Sequence, residues 1–131
     1  MKILIVEDDL MSREMMSIIL EPYGECCLAS NGEEGLDAFR SALERGQSYE
    51  LVCLDLVMPG VTGHEVLRTI RHLEEERNIL PPDSAKVLVI SSMRDSENIM
   101  GAFINQCESY LVKPVDRNES LKHLHSFGLI V

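Results

Sequence analysis

The sequence predicts an α/β protein in which helices cover both faces of a doubly wound, five-stranded parallel sheet. Two observations indicate this architecture. Short apolar runs alternate with amphipathic helical patterns along the whole chain, which is typical of βαβ units. Three of the runs are almost continuously apolar, as expected for strands buried on both faces: Lys2–Val6, Leu51–Leu54 and Lys86–Ile90. Right-handed crossovers between such strands produce a doubly wound sheet.

The first half of the chain predicts three strands separated by two helices. The first helix ends near Leu20, before a proline that cannot continue it. The second strand covers residues 25–30, and Asn31-Gly32 turns the chain toward a second helix that closes near Gly46. The apolar positions that indicate the helices are Met11, Met15, Ile18 and Ile19 in the first and Leu36, Phe39 and Leu43 in the second.

The second half of the chain predicts three helices and two further strands. The third helix covers residues 63–76, the fourth strand residues 85–90 and the fifth strand residues 110–112. The tail, residues 127–131, is apolar and is expected either to pack back on the core or to serve a partner. The apolar positions that indicate the helices are Val66, Leu67, Ile70 and Leu73 in the third, Ile99, Met100, Phe103 and Ile104 in the fourth, and Leu121 and Leu124 in the fifth.

Length and charge restrict the class of protein. A chain of 131 residues is expected to form a single domain, residues 1–131. Its formal net charge of −10 opposes direct binding to nucleic acid or to an anionic membrane. The apolar run at the N-terminus is too short to cross a bilayer and does not resemble a signal peptide. The four cysteines lack C-x-x-C spacing and are expected to be reduced, in a cytoplasmic protein.

Polar side chains come directly after four of the predicted strands, in a pattern that indicates a ligand site. They are Glu7-Asp8-Asp9 after the first strand, Asp55 after the third, Ser91-Ser92 after the fourth and Lys113-Pro114 after the fifth. The carboxyl ends of parallel strands share one edge of the sheet, where such sheets bind ligands. If the strand order is 2-1-3-4-5, the switch point lies between strands one and three. Glu7, Asp8 and Asp55 are therefore expected beside one another.

These residue types suit a divalent cation and a phosphoryl group. Clustered carboxylates repel one another unless they are protonated or bridged by a cation, and Mg²⁺ prefers oxygen ligands. An aspartate beside such an ion can act as a nucleophile and form an acyl phosphate. The oxygens of the transferred group need positive charge or hydrogen-bond donors. Lys113 can supply the charge, Ser91 a hydroxyl, and the backbone near Leu56 and Val57 further donors.

The motifs, taken together, resemble the receiver domain of two-component response regulators. The matching residues occur in the same order over the whole chain: Glu7-Asp8, Asp55 with Met58-Pro59-Gly60, Ser91, and Lys113-Pro114. The resemblance implies a flavodoxin-like (CheY-like) fold with the strand order 2-1-3-4-5, and an aspartate phosphorylated by a sensor histidine kinase or a phosphotransfer protein. It also implies a protein that catalyses only its own phosphotransfer and dephosphorylation.

The resemblance assigns a role to each matching residue. Asp55 would be the phosphoacceptor and a ligand of Mg²⁺. Asp8 would bind the ion directly, Glu7 would bind it through water, and the backbone carbonyl of Val57 would face it. Lys113 would pair with the phosphate, and the Lys113–Pro114 peptide bond would be cis. The switch residues would be Ser91, which provides the hydroxyl, and Tyr110, which would reorient when Ser91 moves.

The resemblance also implies where a phosphorylated receiver would meet its partners. Phosphorylation would bias a surface formed by residues 95–125, which an unknown downstream protein target would read. Whether phosphorylation produces a homodimer is left open. The Met1 start and the complete-looking tail favour a stand-alone receiver over a fragment of a longer regulator. Val57 and Met93 flank the site, and both are apolar, so we expect them to shield an acyl phosphate from water.

Three other classes of protein fit these residues less well. A phosphatase of the haloacid-dehalogenase type would carry D-x-D after the first strand, which Glu7-Asp8-Asp9 does not match. A nucleotide-binding protein would carry a glycine-rich loop there. A phosphorylation-independent, receiver-like adaptor would be expected to have lost some of the acids, Ser91 or Lys113.

Asp9 is expected only to cap the first helix. The Met11, Met15 and Met16 cluster is expected in the core or on a partner surface.

Overall fold

A computed structural model of the chain describes residues 1–91, 100–102 and 106–131. Within them, five parallel strands form one sheet with the order β2-β1-β3-β4-β5, which confirms the predicted order. The strands are β1 (Lys2–Val6), β2 (Glu25–Ala29), β3 (Leu51–Asp55), β4 (Lys86–Ser91) and β5 (Ser109–Val112). The helices are α1 (Leu10–Leu20), α2 (Gly32–Glu44), α3 (Gly63–Glu76) and a C-terminal helix (Arg117–Ser126), with a 3₁₀ turn at Glu21–Tyr23.

Alternate residues of the strands point to opposite faces of the sheet and build two hydrophobic layers. Leu4, Val52 and Val87 lie in the layer covered by α2 and α3. Ile5 and Leu88 lie in the layer covered by α1 and the C-terminal helix. Because each side chain of this kind contributes about 1.5–3 kcal/mol when it is fully buried, both layers hold the sheet in place. The prediction of helices on both faces is thus confirmed.

The helices begin at polar capping residues. The side chains of Asp9, Asn31, Thr62 and Asp116 each accept a hydrogen bond from the backbone N–H three residues on. Such caps contribute about 1 kcal/mol each. The expected capping role of Asp9 is confirmed. The predicted turn at Asn31-Gly32 is instead the start of α2, because Asn31 caps the helix that Gly32 opens.

The predicted apolar face of α1 is only partly right. Met16, Ile19 and Leu20 are the residues that pack against the sheet. Met11 and Ile18 are 76% and 61% exposed, and their neighbours Leu10 and Met15 are also exposed. The helix carries apolar residues on two sides, so periodicity alone does not tell which side faces the core. The four exposed residues Leu10, Met11, Met15 and Ile18 are called the α1 strip below.

The C-terminal tail packs back on the core, which is one of the two outcomes expected for it. Phe127, Leu129 and Ile130 contact the hydrophobic layer under the C-terminal helix. Gly128 makes this turn with a positive φ of 75°. None of the helices among the described residues is long and apolar enough to cross a membrane.

Part of the predicted fourth helix lies outside the described residues. Of its apolar positions, Met100 is described, in a short helical segment at residues 100–102, whereas Ile99, Phe103 and Ile104 are not described. Ser92 and Met93 also lie outside the described residues, as does part of the predicted partner surface at 95–125.

Candidate metal centre

The neighbouring strands β1 and β3 bring three carboxylates together at the carboxyl edge of the sheet. Val6 pairs with Leu54, so the residues that follow, Glu7 and Asp55, lie side by side, and Asp8 comes next. One carboxylate oxygen from each of the three acids lies within 4.8 Å of the others. Oxygen ligands at this spacing could hold a metal ion.

Burial makes this cluster electrostatically costly without a cation. Glu7 is 0% exposed and Asp55 is 2% exposed, whereas Asp8 is exposed. Burial, together with the adjacent Asp55 carboxyl, raises the pKa of Glu7 to about 8. Glu7 Oε2 is buried and has no hydrogen-bond partner among the described residues. An ion bound by the three acids would provide that partner, so the donor set fits a cation such as Mg²⁺.

Lys113 brings positive charge into the cluster from β5. Its Nζ contacts Glu7 Oε1 and lies 3.4 Å from Asp55 Oδ2. Burial alone would lower the pKa of Lys113, but the hydrogen bond to Glu7 and the charge of Asp55 outweigh it and raise that pKa. The backbone N–H of Lys113 donates to Ser91 O at 2.7 Å. The Lys113–Pro114 peptide bond is cis, which confirms that prediction.

The two predicted switch residues lie on the adjacent strands β4 and β5. Ser91 ends β4 and is buried, one position beyond Ile90, which pairs with Asp55. Tyr110 lies on the edge strand β5, opposite Val89 of β4, and is 40% exposed. The structure thus brings Ser91 to the same edge as the acids and places Tyr110 on the strand that leads to Lys113.

The loop after β3 orients Asp55 through its backbone. The N–H of Val57 donates to Asp55 Oδ1 at 3.1 Å, whereas the Val57 side chain is 59% exposed. The N–H of Leu56 donates to Ile90 O at 3.2 Å. The Leu56 N–H is thus used to extend the sheet and does not contribute to the donors that the sequence predicts near Leu56 and Val57.

Gly63 lets α3 begin directly against the strand that carries Asp55. A Cβ atom at this position would lie 2.2 Å from Asp55 O and 2.5 Å from Leu56 Cα, which are both backbone atoms. Any side chain would therefore push the helix away from the site.

One residue of the site was not predicted from the sequence. Arg13, in the first turns of α1, donates from Nη1 to Glu7 O at 2.8 Å, and so fixes the backbone that carries the acidic pair. The sequence feature that could have indicated this contact is the position of Arg13, six residues after Glu7. An arginine on a helix has many other uses, however, and the contact depends on how α1 packs.

The family follows from comparison with known sequences. The sequence profile of the response regulator receiver domain matches residues 3–125, so the chain belongs to this family of two-component signalling proteins. The cell cycle transcriptional regulator CtrA of Caulobacter vibrioides is 25% identical over 127 residues, which are 96% of this chain and 49% of that protein. The cell cycle response regulator CtrA of Brucella ovis is 27% identical over the same shares. The chain therefore spans about half the length of these curated relatives.

Solved structures share the CheY-like fold. The Vibrio cholerae chemotaxis protein CheY4 has a TM-score of 0.80 at 24% identity, covering 96% of this chain and 97% of that one. A chain in the co-crystal structure of the Saccharomyces cerevisiae histidine phosphotransfer protein Ypd1 with the receiver domain of Ssk1 has a TM-score of 0.81 at 22% identity. That match covers 98% of this chain and 88% of the other. At these identities the likeness is one of fold.

Proposed function

We propose that Asp55 accepts a phosphoryl group from a sensor histidine kinase or a phosphotransfer protein in a Mg²⁺-dependent reaction, and that this phosphorylation switches the affinity for a downstream protein. The observation that carries the proposal is the convergence of Glu7, Asp8 and Asp55 within 4.8 Å, with Lys113 Nζ 3.4 Å from Asp55. Residues 1–131 would act as one receiver domain, in the cytoplasm.

The proposed chemistry is a nucleophilic displacement at phosphorus. A carboxylate oxygen of Asp55 attacks, the bond between phosphorus and the donor's imidazole nitrogen breaks, and that nitrogen keeps the electron pair and takes up a proton. The Val57 N–H orients the nucleophile through Oδ1. Lys113 stands ready to pair with a phosphoryl oxygen.

Metal binding at this site is assigned residue by residue. Mg²⁺ would be held directly by Asp8, Asp55 and the Val57 carbonyl and through water by Glu7, and when bound it neutralises charge on the phosphoryl oxygens. Glu7 also keeps Lys113 beside Asp55, because the Lys113 Nζ contacts Glu7 Oε1. The buried Glu7 and the partly buried Lys113 thus hold each other in place before any donor arrives.

The proposed switch depends on Ser91, Tyr110 and the surface at residues 95–125. Ser91 would offer its hydroxyl to the phosphoryl group, and Tyr110 would reorient with it. The exposed side chain of Val57 would, together with Met93, slow hydrolysis by shielding the acyl phosphate from water. A polar residue at position 57 is expected to shorten the lifetime of the phosphorylated form. An unchanged lifetime would contradict the shielding.

The α1 strip is the proposed contact for the phosphoryl donor. It begins two residues after Asp8 and includes Met11 and Ile18, whose exposure of 76% and 61% is high for apolar side chains at the edge of a charged site. In the solved relative from yeast, a receiver domain is crystallised with a histidine phosphotransfer protein. A donor of that kind, seated on the strip, would have its histidine near Asp55.

Intact-protein mass spectrometry after incubation with acetyl phosphate tests the proposal. The wild type should gain one phosphoryl group when Mg²⁺ is present and none when it is chelated, and Asp55→Asn should gain none. Asp37→Asn is the matched control, because the Asp37 side chain is 82% exposed on α2, and it should behave as the wild type. Absence of an adduct in the wild type, under conditions that phosphorylate another receiver, would contradict the proposal and favour the phosphorylation-independent adaptor.

A further inference from the structure

A buried arginine lies at the edge of the sheet opposite the acidic cluster. Arg71 is near the end of α3 and is 9% exposed. It follows Gly63, which touches Asp55, by eight residues, or roughly 12 Å along the helix. None of the roles assigned above uses Arg71.

All three nitrogen atoms of the Arg71 guanidinium group donate hydrogen bonds. Nε and Nη2 donate to Gln106 O at 3.0 and 2.7 Å. Nη1 donates to Ala85 O and to Glu74 Oε1, both at 2.8 Å, and Nη2 also donates to Glu108 Oε1 at 2.8 Å. One side chain of α3 thereby joins the segment before β4 to the segment before β5.

The two carboxylates that neutralise Arg71 also bind backbone. Glu74 Oε2 accepts from the N–H of Ala85 at 2.7 Å, and Glu108 Oε1 accepts from the N–H of Val87 at 2.6 Å. Two carboxylates thus face the single positive charge of Arg71, and each of them is fixed in turn to the backbone at the amino end of β4. A lysine at position 71 could not make the same set of hydrogen bonds, because an ammonium group lacks the planar array of N–H donors of a guanidinium group.

The carbonyl that receives two of the hydrogen bonds belongs to a residue in an unfavourable conformation. Gln106 has a φ of 73°, in the left-handed region that non-glycine residues seldom adopt. Such residues persist where their surroundings over-determine them. The next residues are paired, since the N–H of Cys107 donates to Ala102 O at 3.1 Å and that of Glu108 donates to Val87 O at 3.0 Å.

We propose that Arg71 is a positioning residue that holds Gln106 in its left-handed conformation and thereby fixes the point at which the β4–β5 connection, residues 92–108, returns to the sheet. The connection leaves the sheet at Ser91, beside the acids, and returns at this clamp. In the proposed switch, phosphorylation would then act on a segment whose far end is anchored. That consequence rests on the proposed phosphorylation, whereas the clamp itself does not.

Amide hydrogen exchange of the full chain, measured without a phosphoryl donor, tests the clamp. In Arg71→Lys, exchange at the Cys107 and Glu108 amides should accelerate roughly tenfold relative to exchange at the amides of β1 and β3. The reason is that the segment around these two residues could then open locally without unfolding of the whole protein. Adding Gln106→Gly should restore most of the protection, since glycine adopts a positive φ at little cost. The exposed Arg68→Lys on the same helix should change nothing.

Two results would overturn the clamp. One is equal acceleration over all strands in Arg71→Lys, which indicates loss of global stability alone. The other is failure of Gln106→Gly to restore protection. If Arg71→Lys does not fold, Glu108→Gln replaces it: the amide oxygen keeps an acceptor for Val87, and acceleration at Cys107 that is absent from β1 is again expected. A uniform response in Glu108→Gln would contradict the clamp equally.

The consequence for switching has its own readout. The exchange rates are compared before and after incubation with Mg²⁺ and excess acetyl phosphate. In the wild type, the amides whose exchange changes should all precede Cys107 in the sequence. In Arg71→Lys, the Cys107 amide and those after it should change as well. The same extent in both proteins would contradict an anchored far end. Mass spectrometry of the same samples shows whether Asp55 is phosphorylated, so a failure of the proposed function is distinguished from a failure of the clamp.

Discussion

Replacing Asp8 by asparagine should change stability in opposite directions with and without Mg²⁺. Without metal, the substitution removes a negative charge close to the carboxylate of Asp55, so Asp8→Asn should be more stable than the wild type. With Mg²⁺, the wild type should gain more, because the variant has lost a ligand. Asp8 is exposed, so its replacement disturbs no packing that would obscure these two effects.

The size of each effect follows from the geometry. Two unit charges 4.8 Å apart repel by about 0.9 kcal/mol at the dielectric constant of water and by about 3.5 kcal/mol at an effective value of 20. The exposure of Asp8 favours the lower figure, so a gain of about 1 kcal/mol is expected without metal. Mg²⁺ at about a hundredfold excess over its dissociation constant should stabilise the wild type by about 2.7 kcal/mol.

Urea unfolding monitored by circular dichroism, in EDTA and in Mg²⁺, measures both effects in one variant. Asp37→Asn serves as the control, since it also removes one exposed carboxylate but lies outside the cluster, and it should respond to Mg²⁺ as the wild type does. A loss of stability in EDTA, or the same gain from Mg²⁺ as in the wild type, would refute the placement of Asp8 in a metal centre.

Three further predictions concern other parts of the molecule. Leu124→Ala should lower the free energy of unfolding in urea by about 2–5 kcal/mol, because Leu124 is 0% exposed; a loss below 1 kcal/mol would contradict its place in the core. Ile18→Glu should slow phosphorylation by a protein donor while leaving the rate with acetyl phosphate unchanged, and equal slowing with both donors would exclude the α1 strip as a docking surface. Burial lowers the pKa of His123 below its ordinary 6.5, and this effect outweighs the charge of Glu119, which would raise the pKa. Because the unfolded chain binds the proton more tightly than the folded protein, protonation of His123 favours unfolding. As pH falls below 6.5, the wild type should therefore lose more stability in urea than His123→Gln, and equal losses would contradict this origin.

The buried strands and the edge that holds the site were predictable from local signals and parallel topology, whereas the order 2-1-3-4-5 rests on the resemblance to receiver domains. Apolar runs such as Leu51–Leu54 identify buried strands without any knowledge of their partners. Parallel topology then brings their ends to one edge, so Glu7 and Asp55 could be placed side by side from the sequence. The same rule places Lys113 at this edge.

Other features depend on tertiary packing and could not be predicted in the same way. In α1, Met11 and Met16 are equally apolar, and only the docked helix shows that Met16 is buried while Met11 is exposed. In α3, Arg71 and Glu74 fall on the same stripe as Leu67, but a charged pair on a helix usually indicates a solvated face. Their burial depends on carbonyl groups from two distant segments, which no local pattern contains.

Reductive trapping of the acyl phosphate would identify the phosphorylated residue. Borohydride converts a phosphorylated aspartate to homoserine, and peptide mapping then reports the modified position. We expect homoserine at position 55 after treatment with Mg²⁺ and acetyl phosphate, and none when the metal is chelated. Homoserine at another acid, or at position 55 regardless of metal, would contradict a Mg²⁺-dependent phosphoacceptor built from Glu7, Asp8 and Asp55.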